Sequence, residues 1–175
     1  MANDPNDPIT LFITWTAYGS WLPGDARGWK KWKKGEQQPQ PVLENWCKDR
    51  MKEKAVLLNE QHRESVEGVI REHSQIRNWE LHAASVRSNH VHVVVTVVPK
   101  TGNKDDRVAD GIKRVRDELK ANATRVVRRC ENPILNEKVW TKGGDIQFVD
   151  TDRDLEQVVN YVSEAQDRMG RGKRG

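Results

Sequence analysis

Hydrophobic positions in the first part of the chain follow two different periods. Residues 11–18, LFITWTAY, are rich in β-branched and aromatic side chains and predict a first strand. The turn-forming residues of GSWLPGDARG that come next predict a long loop. From Asn59, a residue suited to an N-cap, apolar side chains recur at helical spacing to about residue 77. Residues 36–58 match neither pattern, and their structure stays open.

The middle of the chain changes from strand-like to helical spacing. Residues 79–87 and 91–98 predict two strands, and the short polar turn Ser88-Asn89 between them predicts an antiparallel hairpin. A long charged helix with an apolar stripe is predicted from about residue 105 to residue 129.

The C-terminal part predicts a further strand pair and a last helix. The strands are expected at residues 138–140 and 145–149, with a Gly-Gly turn between them, and the helix at residues 152–170. The whole order is therefore strand, helix, strand pair, helix, strand pair, helix. This order describes an antiparallel sheet with helices packed on it, which is an α+β architecture.

The length of the chain, 175 residues, suits a single domain over residues 1–175. Within this domain we predict an N-terminal arm at 1–10, a long loop or insert at 19–58 and a basic tail at 170–175. Hydrophobic residues make up 35% of the chain and include seven Trp, so it has the core material that disordered chains lack.

Several classes of protein lose support from the composition. No apolar run reaches the ~20 residues of a membrane span, and the opening MANDPNDPIT has neither the basic start nor the apolar stretch of a secretory signal. Cys47 and Cys130 lie far apart and form no CxxC pair, which disfavours a zinc knuckle or a disulfide framework. We therefore predict a cytoplasmic protein with no membrane partner.

The net charge of +4 matters because the basic residues are gathered into groups. The first group interleaves basic and aromatic side chains and comprises Arg27, Trp29, Lys30, Lys31, Trp32, Lys33 and Lys34. The second lies on the predicted 105–129 helix and includes Lys113, Arg114 and Arg116. Such groups attract phosphates, and Trp can stack on unpaired bases, so we predict contacts with nucleic acid. Solvated loops and helix faces have the same composition, and that alternative stays open.

Two histidines with a spacing of two residues form the first candidate chemical site. Because strand side chains alternate, His90 and His92 are expected on one face of the second hairpin strand, a few ångströms apart. Two such nitrogens can bind one divalent metal. The alternative is a pair of polar groups on the solvent face of an edge strand. The valine-rich flanks indicate a largely buried strand, where an unpartnered imidazole is costly, and this favours the metal site.

A tyrosine in the last predicted helix is the candidate nucleophile. The chain has two tyrosines, Tyr18 and Tyr161, and Tyr161 lies within NYVSEAQDR. A phenol can attack a phosphodiester when a metal polarises the phosphate, and the product is a phosphotyrosine. The alternative for Tyr161 is a helix residue that packs on the sheet. Tyr18, beside Gly19 at the end of the first strand, is interpreted as structural and remains the rival nucleophile.

Four blocks of the sequence together resemble one protein family. SNHVHVVV resembles the histidine-hydrophobic-histidine (HUH) strand of the single-tyrosine transposases of bacterial insertion sequences. These are the insertion-sequence-200-like transposases, which include the REP-associated tyrosine transposases. LFITWTAYGSWLPGD, VWTKGGDIQFV and VVNYVSEAQ resemble the family's first strand and loop, the segment before its last helix and its nucleophile helix. The blocks follow the family's order and span about residues 11–168.

The resemblance implies a fold, a cofactor and a site. It implies a ferredoxin-like antiparallel sheet with the nucleophile on the C-terminal helix, and single-stranded or hairpin DNA as the partner. His90 and His92 would bind Mg²⁺ or Mn²⁺, and Tyr161 would attack the DNA. A polar residue about one turn beyond the tyrosine commonly completes the metal site of this family, and Gln166 is the candidate here, one position away from the expected one. On an ideal helix Glu164 and Gln157 lie nearer the face of Tyr161, so a distorted helix end or a different ligand stays open.

The leading hypothesis is a metal-dependent transposase that nicks and rejoins single-stranded DNA through a 5′-phosphotyrosine, located in the cytoplasm at the nucleoid. One alternative is an inactive module that binds hairpin or single-stranded DNA, and another is an HUH endonuclease of the replication-initiator or relaxase type. A homodimer stays open. His62 and His73 are expected at the surface of the helix that follows Asn59, and His82 near the site.

Overall fold

The computed structural model describes residues 7–31, 33–98 and 108–170, with only the backbone described at 30, 31, 108 and 164–170. Its strands are β1 (Ile9–Thr16), β2 (Trp29–Lys31), β3 (Gly35–Gln37), β4 (Glu80–Val86), β5 (His90–Val97) and β6 (Asp145–Phe148). Its helices are α1 (Pro41–Asp49), α2 (Glu60–Ile76), α3 (Val108–Val127) and α4 (Asp152–Gly170). None of these helices is long and apolar enough to cross a membrane. The predicted α+β class is confirmed.

The main sheet has four strands in the order β4-β5-β1-β6, and every neighbouring pair is antiparallel. The central strands β1 and β5 are paired from Ile9–Val97 to Thr16–His90. Strands β4 and β5 form the predicted hairpin, which closes with a hydrogen bond of 2.8 Å from the Arg87 N–H to the His90 carbonyl. The histidine-bearing strand β5 is therefore an inner strand and not an edge strand.

One face of this sheet carries the main hydrophobic core. The odd-numbered side chains of β1 and β5 point to one side, and all of them except the partly buried Ile9 are almost completely buried. Helices α2 and α3 cover them with Val66, Ile70, Ile112, Val115, Leu119, Ala123 and Val127. Burial of each large apolar side chain contributes roughly 1.5–3 kcal/mol, so this face is the main source of stability.

The opposite face of the sheet is covered in part by α4, which contacts β4 and β5. We call it the α4 face, defined by the even-numbered residues 10–16 of β1 and 90–96 of β5. Val94 and Val162 are buried there, although they are not members of the main core cluster. The sheet therefore separates a core face from a second face that combines one helix with polar side chains.

The 19–58 segment, predicted as a long loop or insert, contains regular structure. β2 and β3 form a separate two-stranded antiparallel sheet, and α1 follows. Helix α1 buries none of its residues against the rest of the described chain. Val56 and Leu58, at the end of the segment, belong to the main core. The segment is called the insert below.

The predicted hairpin between residues 138–140 and 145–149 is wrong. Residues 138–140 form no strand: one isolated bridge joins Trp140 to Ala17, and β6 pairs instead with β1. The reason is that the side chains of this segment pack into the main core. Val139 and Trp140 are buried in the main core, and the indole N–H of Trp140 donates to Thr124 Oγ1 at 3.0 Å.

The surface position expected for His62 and His73 is also wrong. His62 is 5% exposed because it completes a capping box with Asn59: the Asn59 side chain accepts from the His62 N–H, and His62 Nδ1 accepts from the Asn59 N–H. The ring of His73 packs edge-on against Trp79, with the ring centres 5.4 Å apart. His62 therefore caps a helix, and His73 contributes to packing.

Substitution of Gly68 by Ala should raise the free energy of unfolding by about 0.5–1 kcal/mol, because Gly inside a helix costs this much relative to Ala. Gly68 lies in α2, and a Cβ there would meet nothing within 4 Å. Urea denaturation measures the change. Gly24→Ala is the contrasting variant, since it has φ of +88° and its Cβ would lie 2.4 Å from the Gln40 carbonyl oxygen. A lower midpoint for Gly68→Ala would contradict the prediction.

Candidate active site

The two candidate metal ligands lie side by side on β5. His90 and His92 are cross-strand partners of Thr16 and Thr14 on β1, so both side chains are on the α4 face. Their ring centres are 4.7 Å apart with an interplanar angle of 73°. The predicted geometry, two neighbouring imidazoles on one face of a strand, is confirmed.

Hydrogen bonds fix the orientation of both imidazole rings. His92 Nδ1 lies 2.8 Å from Thr14 Oγ1, and His90 Nδ1 lies 2.7 Å from the Asn89 side-chain oxygen. The Asn89 oxygen accepts, so His90 Nδ1 carries the proton. In a neutral imidazole with this tautomer, Nε2 carries the lone pair that binds a metal.

Electrostatics keep His92 neutral. Its burial lowers the pKa of the imidazole to about 4, and repulsion from His90, when that ring is protonated, and from Arg87 acts in the same direction. At neutral pH the ring is therefore unprotonated, which is the state required of a metal ligand.

Helix α4 brings Tyr161 to the two histidines. The phenol ring centre lies 6.0 Å from that of His92 and 6.4 Å from that of Phe12. Tyr161 is 56% exposed, so a large ligand can reach it. The rival tyrosine, Tyr18, packs against the main core, and its N–H donates to the Val139 carbonyl. The two tyrosines are therefore in different environments, and Tyr161 is the one beside the histidines.

The donor set around the histidines fits a divalent cation in part. Within the described side chains, no three His, Cys, Asp or Glu residues are grouped closely enough to hold a metal. Mg²⁺ and Mn²⁺ prefer oxygen ligands, so the two imidazole nitrogens would hold either ion only together with oxygen ligands that complete the set. Gln166, the predicted third ligand, lies in α4, and its side chain is outside the described part of the structure.

A row of polar side chains crosses the sheet at His92. Ser85, His92, Thr14 and Asp145 are successive register partners on β4, β5, β1 and β6. Ser85 is 1% exposed, and its hydroxyl has no hydrogen-bond partner among the described side chains and backbone. A buried hydroxyl without a partner is costly, so its position beside His92 fits a site that receives a further polar ligand.

The basic-aromatic group in the insert is held in place by hydrogen bonds. The Arg27 guanidinium makes two hydrogen bonds to the Asp25 carboxylate, at 2.8 and 2.7 Å. The Trp29 indole N–H donates to the Gln38 carbonyl at 3.0 Å. Lys33 and Lys34 are exposed between β2 and β3. The side chains of Lys30 and Lys31, and all of Trp32, lie outside the described part.

The basic residues of α3 have a different setting, since α3 lies on the core face, across the sheet from the histidines. Arg116 donates to Asp117 and to the Gly144 carbonyl, and Lys120 to the carbonyls of Thr141 and Gly143. These cations hold the segment before β6. Lys113 and Arg114 are exposed on the same helix.

Three residues of the site were not predicted from the sequence: Thr14, Asn89 and Ser85. Asn89 precedes His90 directly, and its amide oxygen is a local signal that could have been used. Thr14 and Ser85 are neighbours of His92 only through strand register, which depends on which strands pair.

Comparison with known proteins assigns the family. The family model described as "Transposase IS200 like" matches residues 47–165, more than half of the chain. The chain belongs to the IS200-like transposase family, as the four sequence blocks predicted. No curated protein matches the sequence.

Two solved structures are similar to this chain. One is a REP-associated tyrosine transposase bound to a REP hairpin, with 14% sequence identity, a TM-score of 0.48, and coverage of 93% of this chain and 68% of that one. The other is a protein from Deinococcus radiodurans R1 described as a candidate transposase, with 11% identity, a TM-score of 0.44, and coverage of 90% and 91%.

Proposed function

We propose that the protein is a metal-dependent DNA strand transferase that nicks and rejoins single-stranded DNA through a 5′-phosphotyrosine at Tyr161. The observation that carries the proposal is the position of the Tyr161 phenol, 6.0 Å from the His92 ring, on the face that also holds His90. Membership of the IS200-like transposase family supports it. Single-stranded or hairpin DNA is the proposed partner.

The two imidazoles would hold the ion. His90 and His92 offer nitrogen ligands whose orientation is set by Asn89 and Thr14, and Gln166 remains the proposed third ligand. Bound Mg²⁺ or Mn²⁺ would polarise the scissile phosphate and offset the charge that develops on it.

The proposed reaction exchanges one phosphodiester for another. The Tyr161 hydroxyl loses its proton as its oxygen bonds to phosphorus, the bond from phosphorus to the 3′ oxygen breaks, and that oxygen takes up a proton. The DNA then has a free 3′ hydroxyl, and its 5′ phosphate is joined to the protein. Attack by a 3′ hydroxyl reverses the exchange, so cutting and rejoining need no external energy source.

The arrangement of the main sheet supports the ferredoxin-like part of the proposal. A helix-linked pair, β1 and β4, flanks β5, and β6 lies at the other edge beside β1. Helix α4 packs on β4 and β5 of this sheet. We propose further that the basic-aromatic group of the insert, together with Lys113 and Arg114, contacts the DNA.

The decisive experiment incubates the purified protein with an end-labelled single-stranded hairpin oligonucleotide and Mn²⁺, followed by a denaturing protein gel. A labelled band at the position of the protein is the expected result. Omission of the metal or addition of a chelator should remove the band. Tight binding without a covalent band, over a panel of hairpins taken from beside the gene, would instead favour the inactive binding module.

Substitution of Thr14 by Val should weaken Mn²⁺ binding by about 10–100-fold, the usual effect of removing a group that orients a ligating histidine. The hydroxyl bonded to His92 Nδ1 is lost, whereas size and β-branching are kept. Titration calorimetry measures the affinity, and Thr14→Ser should restore most of it.

Thr10→Val is the matched control, because Thr10 lies on the same face of β1 and its hydroxyl is bonded to Thr96 at 2.7 Å and not to His90 or His92. Equal metal affinities for Thr14→Val and wild type would show that Thr14 does not orient the ligand.

A further inference from the structure

The insert carries a net positive charge. Its residues 19–58 include nine Lys and Arg against five Asp and Glu, a net charge of +4, which equals the net charge of the whole chain. Four of the seven Trp lie between residues 21 and 46. The remainder of the chain sums to zero but carries its own basic group on α3, so the insert is one of two regions expected to attract a polyanion.

Trp21 is an exposed aromatic ring that is held in one orientation. It is 52% exposed, and its indole N–H donates to the Gly28 carbonyl at 2.7 Å. The Arg27 guanidinium lies over the ring, 4.4 Å from its centre. Arg27 is itself fixed by Asp25, and this side-chain hydrogen bond lowers the pKa of the Asp25 carboxyl to about 2. The ring and the cation therefore form a rigid pair.

Trp46 repeats this arrangement on α1. It is 53% exposed, and the Arg50 guanidinium lies 3.7 Å from the ring centre. Arg50 also donates to the Trp46 carbonyl at 3.2 Å, which holds the cation over the ring. Helix α1 buries no residue, so Trp46 is not needed for a core.

The two pairs belong to one folded unit. A Cβ on Gly24 would lie 2.4 Å from the Gln40 carbonyl oxygen, and the Gln40 N–H donates to the Gly24 carbonyl. The loop that carries Trp21 is therefore packed directly on the start of α1, the helix that carries Trp46. An ordered unit with two exposed indoles is prepared for a ligand before the ligand arrives.

We propose that the pairs Trp21–Arg27 and Trp46–Arg50 are stacking sites for the unpaired bases of single-stranded DNA, an inference that rests on the proposed function and extends it to residues outside the active site. Every base has a flat face that an indole can cover whatever the sequence, and a nearby guanidinium strengthens the contact. The net positive charge of the insert as a whole favours a polyanion over an apolar protein surface as the occupant.

The test measures binding of full-length protein to a fluorescent oligo(dT) by anisotropy. Trp21→Ala and Trp46→Ala should each weaken binding by about 5- to 100-fold, the loss expected for one stacked base. On an abasic oligonucleotide of equal length, which keeps the phosphates, variants and wild type should bind equally. Phe148→Ala is the matched control, because Phe148 is an aromatic residue of β6 that is 58% exposed, outside the insert.

A second pair of variants keeps the test independent of folding. Trp46→Phe retains a flat ring and should bind almost as wild type does, whereas Trp46→Leu retains only apolar volume and should bind as weakly as Trp46→Ala. Circular dichroism and thermal unfolding show that each variant is folded. Unchanged oligo(dT) affinity in Trp46→Leu would overturn the proposal. A change of oligomeric mass in that variant, again without a change in affinity, would also overturn it and identify a protein interface.

The proposal and the proposed function can fail separately. Covalent adduct formation at saturating DNA tests the chemistry at Tyr161, and this chemistry should persist in the Trp46 variants once DNA is in excess. If the wild-type protein never forms an adduct, and Trp46→Ala binds oligo(dT) more weakly than wild type, the proposed enzymatic activity is refuted and the stacking sites are supported. The reverse pattern would refute the stacking sites alone.

Discussion

The Tyr161→Phe variant is expected to form no covalent adduct with single-stranded DNA. The substitution removes one oxygen, the proposed nucleophile, and leaves the ring that packs against Phe12 and His92. Loss of a nucleophile of this kind lowers turnover by on the order of 10⁴- to 10⁶-fold. Stability should change little, because more than half of the side chain is exposed. The adduct gel and a urea melt measure the two effects.

Tyr18→Phe is the control for this experiment. Tyr18 packs against the main core and lies outside the site, so its variant should form the adduct at the wild-type rate. An adduct that survives in Tyr161→Phe and disappears in Tyr18→Phe would assign the nucleophile to the rival tyrosine. The DNA affinity of both variants should match that of wild type, which separates binding from chemistry.

The double variant His90→Ala/His92→Ala is expected to lose cleavage and also Mn²⁺ binding. Both proposed nitrogen ligands are removed, so no increase of the metal concentration within the usual range should restore activity. The core-face valines of β5 are untouched, and the fold should persist. Calorimetric titration with Mn²⁺ and the cleavage assay report the two losses, and circular dichroism reports the fold.

His82→Ala provides the matched histidine control. His82 lies at the irregularity of β4, where its Nε2 is within 2.7 Å of Thr96 Oγ1, away from the His90 and His92 pair. It should retain metal binding and cleavage. Wild-type activity in the double variant would remove the metal centre from the proposal, whatever happens to His82→Ala.

Local patterns predicted the parts of the structure that depend on neighbours along the chain. The last helix was predicted at 152–170, where α4 is observed, and Asn59 caps α2 as expected. The placement of His90 and His92 on one face follows from the alternation of a strand alone, and it too was predicted. Such features need no knowledge of the rest of the fold.

Local sequence patterns did not predict which distant segments pair with each other. Most of the predicted strand at residues 145–149 is observed as β6. Its partner is β1 and not the adjacent segment 138–140, because Trp140 is buried in the core. The side chain of Arg116, predicted to contact DNA, donates to the Gly144 carbonyl, and the side chain of Lys120 donates to the Gly143 carbonyl, each more than twenty residues along the chain. Sequence alone does not reveal such partners.

The two faces of strand β5 are expected to be under different selective constraints. Its odd-numbered valines are buried in the main core, so a polar replacement there is removed by loss of folding. His90 and His92, on the other face, would be constrained chiefly by the metal binding proposed for them. A lineage released from selection for DNA cleavage would therefore drift first at the histidines and keep the valines. In such a lineage, an intact valine row beside altered histidines would mark a descendant that has kept the fold and lost the reaction.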